Sequence, residues 1–376
     1  MAKMLQNLVD LRDVFPGDRN NQALFLQNQT VVPFDASAAG AANELLSTNG
    51  LDILLRVVRR LISFQADKWL NPSPGEAPNP LLELAWADLE VDNGQHTHKA
   101  RLDILKTFFP EKDLTKEDLS FEALSRHDLM HRSIWRRLPF LLHDPDTMSR
   151  KTGGDEWENE KPSEGERGDK EMTELAEDSL VCYDPAKFKS IQEAIEDRLG
   201  VFVDPKRGRD YYVQFNEPAV IRVRYIPRNV NDKDNEENVI HVDSRQLIQG
   251  PYPNLALVPD PDWNIVTYNK IAVVHLHGPN NRDFLKMFHF DGSVLPVDQE
   301  MEEADQCEAY MFYYRIRAPM RRIEQPDAAA IVQAMDIAAG DAEPDSPLQP
   351  STLVRGLRRE DFGQRRDHQD EYEGLI

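Results

Sequence analysis

Apolar residues recur at helical spacing in the first part of the chain. The clearest run, at positions 51–62, predicts an amphipathic helix with Asn49 as its N-cap and Asp52 in its first turn. Its apolar positions are Leu51, Leu54, Leu55, Val58, Leu61 and Ile62. The opposite, polar side carries Arg56, Arg59 and Arg60. Similar spacing predicts helices at 100–109, 121–142 and 188–199.

The pattern changes to strands after position 200. Residues 219–225 alternate apolar and charged side chains, which predicts a strand with one buried face. Segments rich in β-branched and aromatic residues, separated by polar turns, predict further strands at 238–242, 271–276, 283–290 and 309–315. Together they indicate an antiparallel sheet, so the fold class is predicted to be α+β.

Composition divides the chain into four zones. Residues 1–150 are predicted to be mostly helical and residues 180–318 to be rich in β-strands. Residues 151–179 are hydrophilic and acidic, and a segment with so few apolar side chains is expected to be a flexible linker or loop. Residues 319–376 are expected to be a tail of low order, with one potential helix at 327–339.

The overall charge narrows the class of partner. Among 376 residues there are 44 basic and 66 acidic side chains, a net charge of −22. Such a surface repels nucleic acid and anionic membranes, so we expect a protein partner instead. No run of 18 apolar residues occurs, which argues against a membrane-spanning helix. Two cysteines are too few for a disulfide framework and indicate an intracellular protein of the cytoplasm or nucleus.

Sequence signatures of common cofactor sites are missing. The chain contains no GxxxxGK loop, no GxGxxG after a strand and no GxSxG elbow, so no cofactor is expected. Two histidine pairs could ligate a metal: His127 and His131 at helical spacing, and His275 and His277 on one face of a strand. Neither pair has an obvious third ligand, so packing or surface roles are favoured for all four and no metal is expected.

Cys182 and Cys307 are the only candidate thiol nucleophiles. Both follow acidic stretches, and neighbouring negative charge raises the pKa of a thiol instead of activating it. We therefore interpret both cysteines as inert.

Five short blocks of the β-rich zone resemble, in the correct order, the C-terminal half of ubiquitin-specific proteases, which are papain-like cysteine peptidases that remove ubiquitin. The blocks are KSIQEAI at 189–195, EPAVIRVRY at 217–225, YNKIAVV at 268–274, FDGSV at 290–294 and EAYMFYYR at 308–315. They span about a third of the chain. The resemblance implies a papain-like fold, with the helical N-terminal region packed on the antiparallel sheet.

The chemistry of that family is missing from the matching positions. No cysteine occurs before position 182, so the Gly-Asn-Thr-Cys-Tyr box that supplies the nucleophile is absent, as are paired CxxC zinc clusters. Asp283 stands where the family has its general-base histidine, and Asp291 matches the acidic residue that orients this histidine. The segment 283–288 is similar to fungal proteins that lack the histidine block, which favours a fungal source.

The resemblance and these departures together predict a non-catalytic member, a pseudoenzyme that acts as a scaffold or binds a protein such as ubiquitin or a ubiquitin-like protein. Two alternatives stay open. One is an active deubiquitinase that uses Cys182, Cys307 or a residue outside this chain as its nucleophile. The other is a structural subunit of a larger assembly.

Overall fold

A computed structural model describes most of the chain up to residue 317. The described residues are 8–28, 48–65, 70–72, 75–89, 95–145, 147–154, 157–160, 166–227, 238–243, 265–277, 282–289, 292–295 and 309–317. Residues 1–317 belong to one compact unit. The predicted tail at 319–376 lies outside the described residues.

Short helices dominate the N-terminal part, as predicted, and two more follow later. The helices are α1 (Leu11–Val14), α2 (Arg19–Asn28), α3 (Asn49–Ser63), α4 (Pro80–Ala85), α5 (Gln95–Phe108), α6 (Phe121–Ser125), α7 (Asp128–His131), α8 (Glu166–Asp178) and α9 (Ile191–Glu196). Within the described ranges, none of them is long and apolar enough to cross a membrane. The continuous helix predicted at 121–142 is wrong, because it breaks after Ser125 and again after His131.

The strands form two sheets. They are β1 (Thr147–Lys151), β2 (Glu158–Glu160), β3 (Leu180–Tyr183), β4 (Gly200–Asp204), β5 (Arg209–Val213), β6 (Val220–Tyr225), β7 (Val239–Asp243), β8 (Ile265–Leu276), β9 (Phe284–Met287) and β10 (Ala309–Ile316). The larger sheet has the order β3-β6-β10-β8-β7, with β9 also paired to β8. It is antiparallel as predicted, except that β3 runs parallel to β6. The smaller antiparallel sheet, β2-β1-β5-β4, was not predicted.

Helix α3 is buried on all sides instead of being amphipathic at a surface. The three arginines predicted on its polar side are all buried: Arg56, Arg59 and Arg60. Arg59 Nη1 donates to the carbonyl oxygens of Ala85 and Ala87 at 3.0 and 2.9 Å. Arg60 Nη2 donates to the Phe288 carbonyl at 2.7 Å. Burial of the Arg59 and Arg60 guanidinium groups is tolerated here because each donates to backbone carbonyls of the surrounding segments.

The acidic stretch at 151–179 contains regular structure, so the prediction of a flexible linker is wrong. It includes the end of β1, all of β2, and α8. Met172, Leu175 and Ala176 follow helical spacing in α8, and Ala176 is fully buried. Asp169 Oδ1 forms an ion pair of 2.9 Å with Arg136 Nη2. A narrow apolar stripe and ion pairing thus suffice to order a helix that is otherwise hydrophilic.

Strand β10 is the centre of the larger sheet. It pairs with β6 on one side and β8 on the other, and all of its residues are buried. As expected for an alternating strand, Phe312 contacts the ring of Tyr225, whereas Tyr313 contacts the rings of Phe121 and Trp135. The helical part of the chain therefore packs on one face of this strand.

Candidate functional site

Asp283 is the residue that the family resemblance places at the general-base position, and the structure buries it. It directly precedes β9, and only 1% of its surface is exposed. One carboxylate oxygen, Oδ2, accepts a hydrogen bond from the Phe121 backbone N–H at 2.8 Å. The other, Oδ1, accepts from the His277 backbone N–H at 3.0 Å. The side chain thus connects the start of α6 to the end of β8.

This environment gives Asp283 a structural role. Burial raises the pKa of its carboxyl group, and the two backbone hydrogen bonds act in the opposite direction by stabilising the charged form. The imidazole of His277 has packing contacts of its own: its Nδ1 lies 3.2 Å from the His275 carbonyl oxygen, and its ring packs edge-on against Phe284. The carboxylate therefore has the Phe121 and His277 backbone amides as its hydrogen-bond donors.

The segment that Asp283 fixes also covers the N-terminal end of α3. A Cβ atom placed on Gly50 would lie 2.1 Å from the Leu119 carbonyl oxygen and 2.6 Å from the Phe121 nitrogen. Only a residue without a side chain permits such a close approach between the two backbones. We call Gly50, residues 119–121, His277 and Asp283 the Asp283 junction. Sequence reasoning singled out only Asp283 and His277 among these residues, and His277 only as a candidate metal ligand.

A polar cluster follows Gly50 in the first turn of α3. Arg101 Nε lies 2.6 Å from Asp52 Oδ1, and Thr48 Oγ1 donates to Asp52 Oδ2 at 3.1 Å. Burial raises the pKa of Asp52, and the positive charge of Arg101 opposes this shift. Because its carboxylate is fully engaged, Asp52 stabilises the start of the helix and is a poor candidate for proton transfer.

The close approach at Gly50 makes a simple prediction. Gly50→Ala should lower the free energy of unfolding by about 1–3 kcal/mol, because backbone atoms must move to admit the methyl group. Urea denaturation followed by circular dichroism measures this change. Gly154→Ala is the control, since its Cβ would lie 3.1 Å from the nearest backbone oxygen and clash less severely. Equal stabilities of both variants would contradict the close packing.

Cys182 lies far from the Asp283 junction. It is an exposed residue of β3, the edge strand of the larger sheet. Across the sheet, Cys182 of β3 pairs with Arg224 of β6, and Arg224 pairs with Met311 of β10. Met311 in turn pairs with Val274 of β8. Three strand spacings separate Cys182 from β8, which amounts to roughly 14 Å. The other two residues singled out in the sequence, Cys307 and Asp291, lie outside the described residues.

The histidines at 127 and 131 do not share a helical face. His127 is the N-cap of α7, where its Nδ1 accepts from the Leu129 N–H at 3.1 Å. His131 is buried, and burial together with Arg222 lowers its pKa to about 4. It is therefore neutral at pH 7 and forms no ion pair with Glu177, although Nδ1 and Oε1 are 3.4 Å apart.

The second histidine pair also serves packing. His275 lies edge-on to Tyr310, with ring centroids 5.0 Å apart, and His277 packs against Phe284. Within the described ranges, no group of three or more histidine, cysteine, aspartate or glutamate side chains is arranged to hold a metal ion.

Comparisons with known proteins identify only distant likenesses. No protein-family model matches the chain, and no curated protein is similar to it. Among solved structures, it is similar to the Ubp8–Sgf11–Sgf73–Sus1 module of the SAGA deubiquitinase, with 12% identity, a TM-score of 0.34, and coverage of 73% of this chain and 67% of that chain. For the module bound to monoubiquitin the identity is 14%, the TM-score 0.33 and the coverage 77% and 72%. A yeast form of the module has 11% identity, a TM-score of 0.28 and coverage of 73% and 66%.

Proposed function

We propose that this chain is a non-catalytic protein with a papain-like, ubiquitin-specific-protease-like fold that acts as a binding or scaffold module inside the cell, in the cytoplasm or nucleus. The observation that carries the proposal is the burial of Asp283 between two backbone amides. At the position of the family's general base, this residue stabilises the contact between the helical part and the sheet. Its two carboxylate oxygens accept hydrogen bonds from backbone amides, as expected of a structural residue and not of a base.

The surroundings of Asp283 support the same conclusion. A cysteine peptidase needs a thiolate, a base and an oxyanion site in contact with each other. The described residues of the Asp283 junction contribute a glycine at the start of α3 and no thiol. Backbone atoms of residues 119 and 121 already lie where a side chain on Gly50 would project. A nucleophile at this helix end would therefore have no room.

The deubiquitinase alternative is less well supported. It requires a histidine within about 3–4 Å of a reactive sulfur, a distance typical of nucleophile–base pairs before substrate binds. On β6, the residue opposite Cys182 is Arg224, whose guanidinium is bonded to Glu122 at 2.6 Å. The described residue opposite Cys182 in the sheet is therefore held in an ion pair with Glu122 and is not a general base.

The partner is expected to be a protein with a basic surface, because this chain carries a net charge of −22. Ubiquitin and ubiquitin-like proteins are the candidates that the sequence blocks suggest.

Titration of the purified chain with a panel of ubiquitin and ubiquitin-like proteins tests this part of the proposal. We expect at least one member to bind with a Kd below about 100 µM, which corresponds to roughly −5.5 kcal/mol. Binding should weaken with added salt, because attraction between opposite charges is screened. If no member of the panel binds at several hundred micromolar, the scaffold does not recognise this class of protein.

A further inference from the structure

One edge of the smaller sheet is a strand with exposed apolar side chains. Strand β4 is the last strand in the order β2-β1-β5-β4, and within the described residues it pairs only with β5. Three consecutive apolar side chains of β4 are exposed: Val201 by 39%, Phe202 by 41% and Val203 by 60%. Because side chains alternate along a strand, this apolar surface covers both faces of the edge.

The two edges of this sheet differ in a way that matters for binding. The opposite edge, β2, has the sequence Glu-Asn-Glu, and charged residues on an edge strand hinder pairing with another chain. The sequence of β4 is Gly-Val-Phe-Val-Asp, with a charge only at its end. A strand that is paired on one side only, and whose free edge carries exposed apolar residues, is a template for an additional strand.

The side chains next to β4 extend this surface. Phe202 is opposite Tyr211 and Val201 is opposite Tyr212, so an added strand would continue a row of aromatic and β-branched side chains on each face. Main-chain hydrogen bonds would supply affinity for any extended segment, whereas these rows would select apolar residues at alternating positions.

The charge beside the edge indicates which segment fits. The turn after β4 contains Lys206 and Arg207, a local basic site in a strongly acidic chain. Arg207 Nε lies 3.7 Å from Asp204 Oδ2, whereas Lys206 has no ion pair in the described part of the molecule. Acidic residues at one end of the added segment would therefore meet an available positive charge.

A second copy of this chain fits the edge poorly. In an antiparallel pairing of two β4 strands centred on Phe202, Asp204 of each copy would be opposite Gly200 of the other, so the pairing matches no opposite charges. Two copies that each carry a net charge of −22 also repel each other. The occupant is therefore better sought in a different protein.

We propose that β4 binds an extended segment of a partner protein, with apolar residues at alternating positions and acidic residues beside Lys206. This site deepens the proposed scaffold function, on which it rests. In the antiparallel orientation, the N-terminal end of the bound segment lies next to the basic turn. The segment then becomes the fifth strand of the smaller sheet.

The probe is a synthetic peptide, acetyl-DDVTVTVT-amide, titrated into the full chain, with acetyl-KKVTVTVT-amide as its charge-reversed counterpart. Hydrogen exchange should show new protection of amides in β4. Val203→Glu should weaken binding of the acidic peptide at least tenfold, because it places a negative charge on the pairing edge, near the acidic end of the peptide. Val294→Glu is the matched control, since Val294 is also exposed, by 51%, and lies outside the smaller sheet. The basic peptide should bind several-fold more weakly than the acidic one.

Failure of this site is distinguishable from failure of the proposed function. No binding of the acidic peptide at about 1 mM would overturn the edge site. Such a result means that the standard-state binding free energy is weaker than roughly −4 kcal/mol. Binding that is insensitive to Val203→Glu would do the same, as would a dimer that Val203→Glu dissociates. A parallel titration with the ubiquitin panel tests the scaffold function separately. Binding in that panel, or its absence, is compatible both with binding and with no binding of the peptide at β4.

Discussion

Replacing Asp283 with alanine should lower the free energy of unfolding by about 2–6 kcal/mol. The substitution leaves two buried backbone amides without an acceptor, those of Phe121 and His277, and each buried unpaired donor costs about 1–3 kcal/mol. Both hydrogen bonds are buried, and the one to Phe121 joins segments 162 positions apart, so water cannot replace the carboxylate without opening the packing. Urea denaturation of the purified variant measures the loss.

Two further variants separate the role of the carboxylate from general sensitivity to mutation. Asp283→Asn keeps only one accepting oxygen and should lose about half as much stability as Asp283→Ala. Glu174→Ala removes an exposed carboxylate that pairs with Lys170 at 3.5 Å, and should change stability by less than about 0.5 kcal/mol. If Asp283→Ala is as stable as the unaltered chain, the Asp283 junction does not hold the helical part on the sheet.

Phe312→Ala should be about as damaging, with a loss of about 3–5 kcal/mol. Phe312 is fully buried in the central strand of the larger sheet, and its ring lies 5.7 Å from that of Tyr225 and 5.9 Å from that of Tyr310. Removing it leaves a cavity that the flanking strands β6 and β8 cannot close, because both are held in register by β10.

Thermal and urea denaturation both measure this effect, with Phe202→Ala as the control. Phe202 is 41% exposed on an edge strand, so its truncation removes much less buried area. Similar losses for the two variants would show that β10 is a peripheral strand and would contradict the topology described above.

The elements with strong periodicity were predictable from the sequence. Helix α3 and strands β6, β8 and β10 have long apolar patterns, and the structure has a helix or a strand where each pattern predicts one. Strands β1 and β2 of the smaller sheet were not predicted because they consist mainly of polar and charged residues. Helix α8 was missed for the same reason, since its charged residues outnumber its apolar ones. In the smaller sheet and in α8, the apolar contribution comes from a few buried side chains, such as Trp157 and Ala176.

The candidate site was predictable only in part. The resemblance to the protease family singled out Asp283, but the groups that donate hydrogen bonds to Asp283 have no sequence signature. Both partners are backbone N–H groups, which every residue except proline carries. One of them, Phe121, is 162 positions away in the chain. The close approach at Gly50 is equally hidden, because a glycine at a helix start ordinarily indicates a flexible cap.

Release of a fluorophore from the C-terminal amide of ubiquitin is the measurement that tests the non-catalytic assignment most directly. The unaltered chain at micromolar concentration should give no release above the blank, because loss of the nucleophile alone removes about six orders of magnitude of rate in a related catalytic triad. Asp283→His should be equally inactive, since Cys182 lies three strand spacings, roughly 14 Å, from β8. Clear hydrolysis that Cys182→Ser or Cys307→Ser abolishes would contradict the account and establish an active cysteine peptidase.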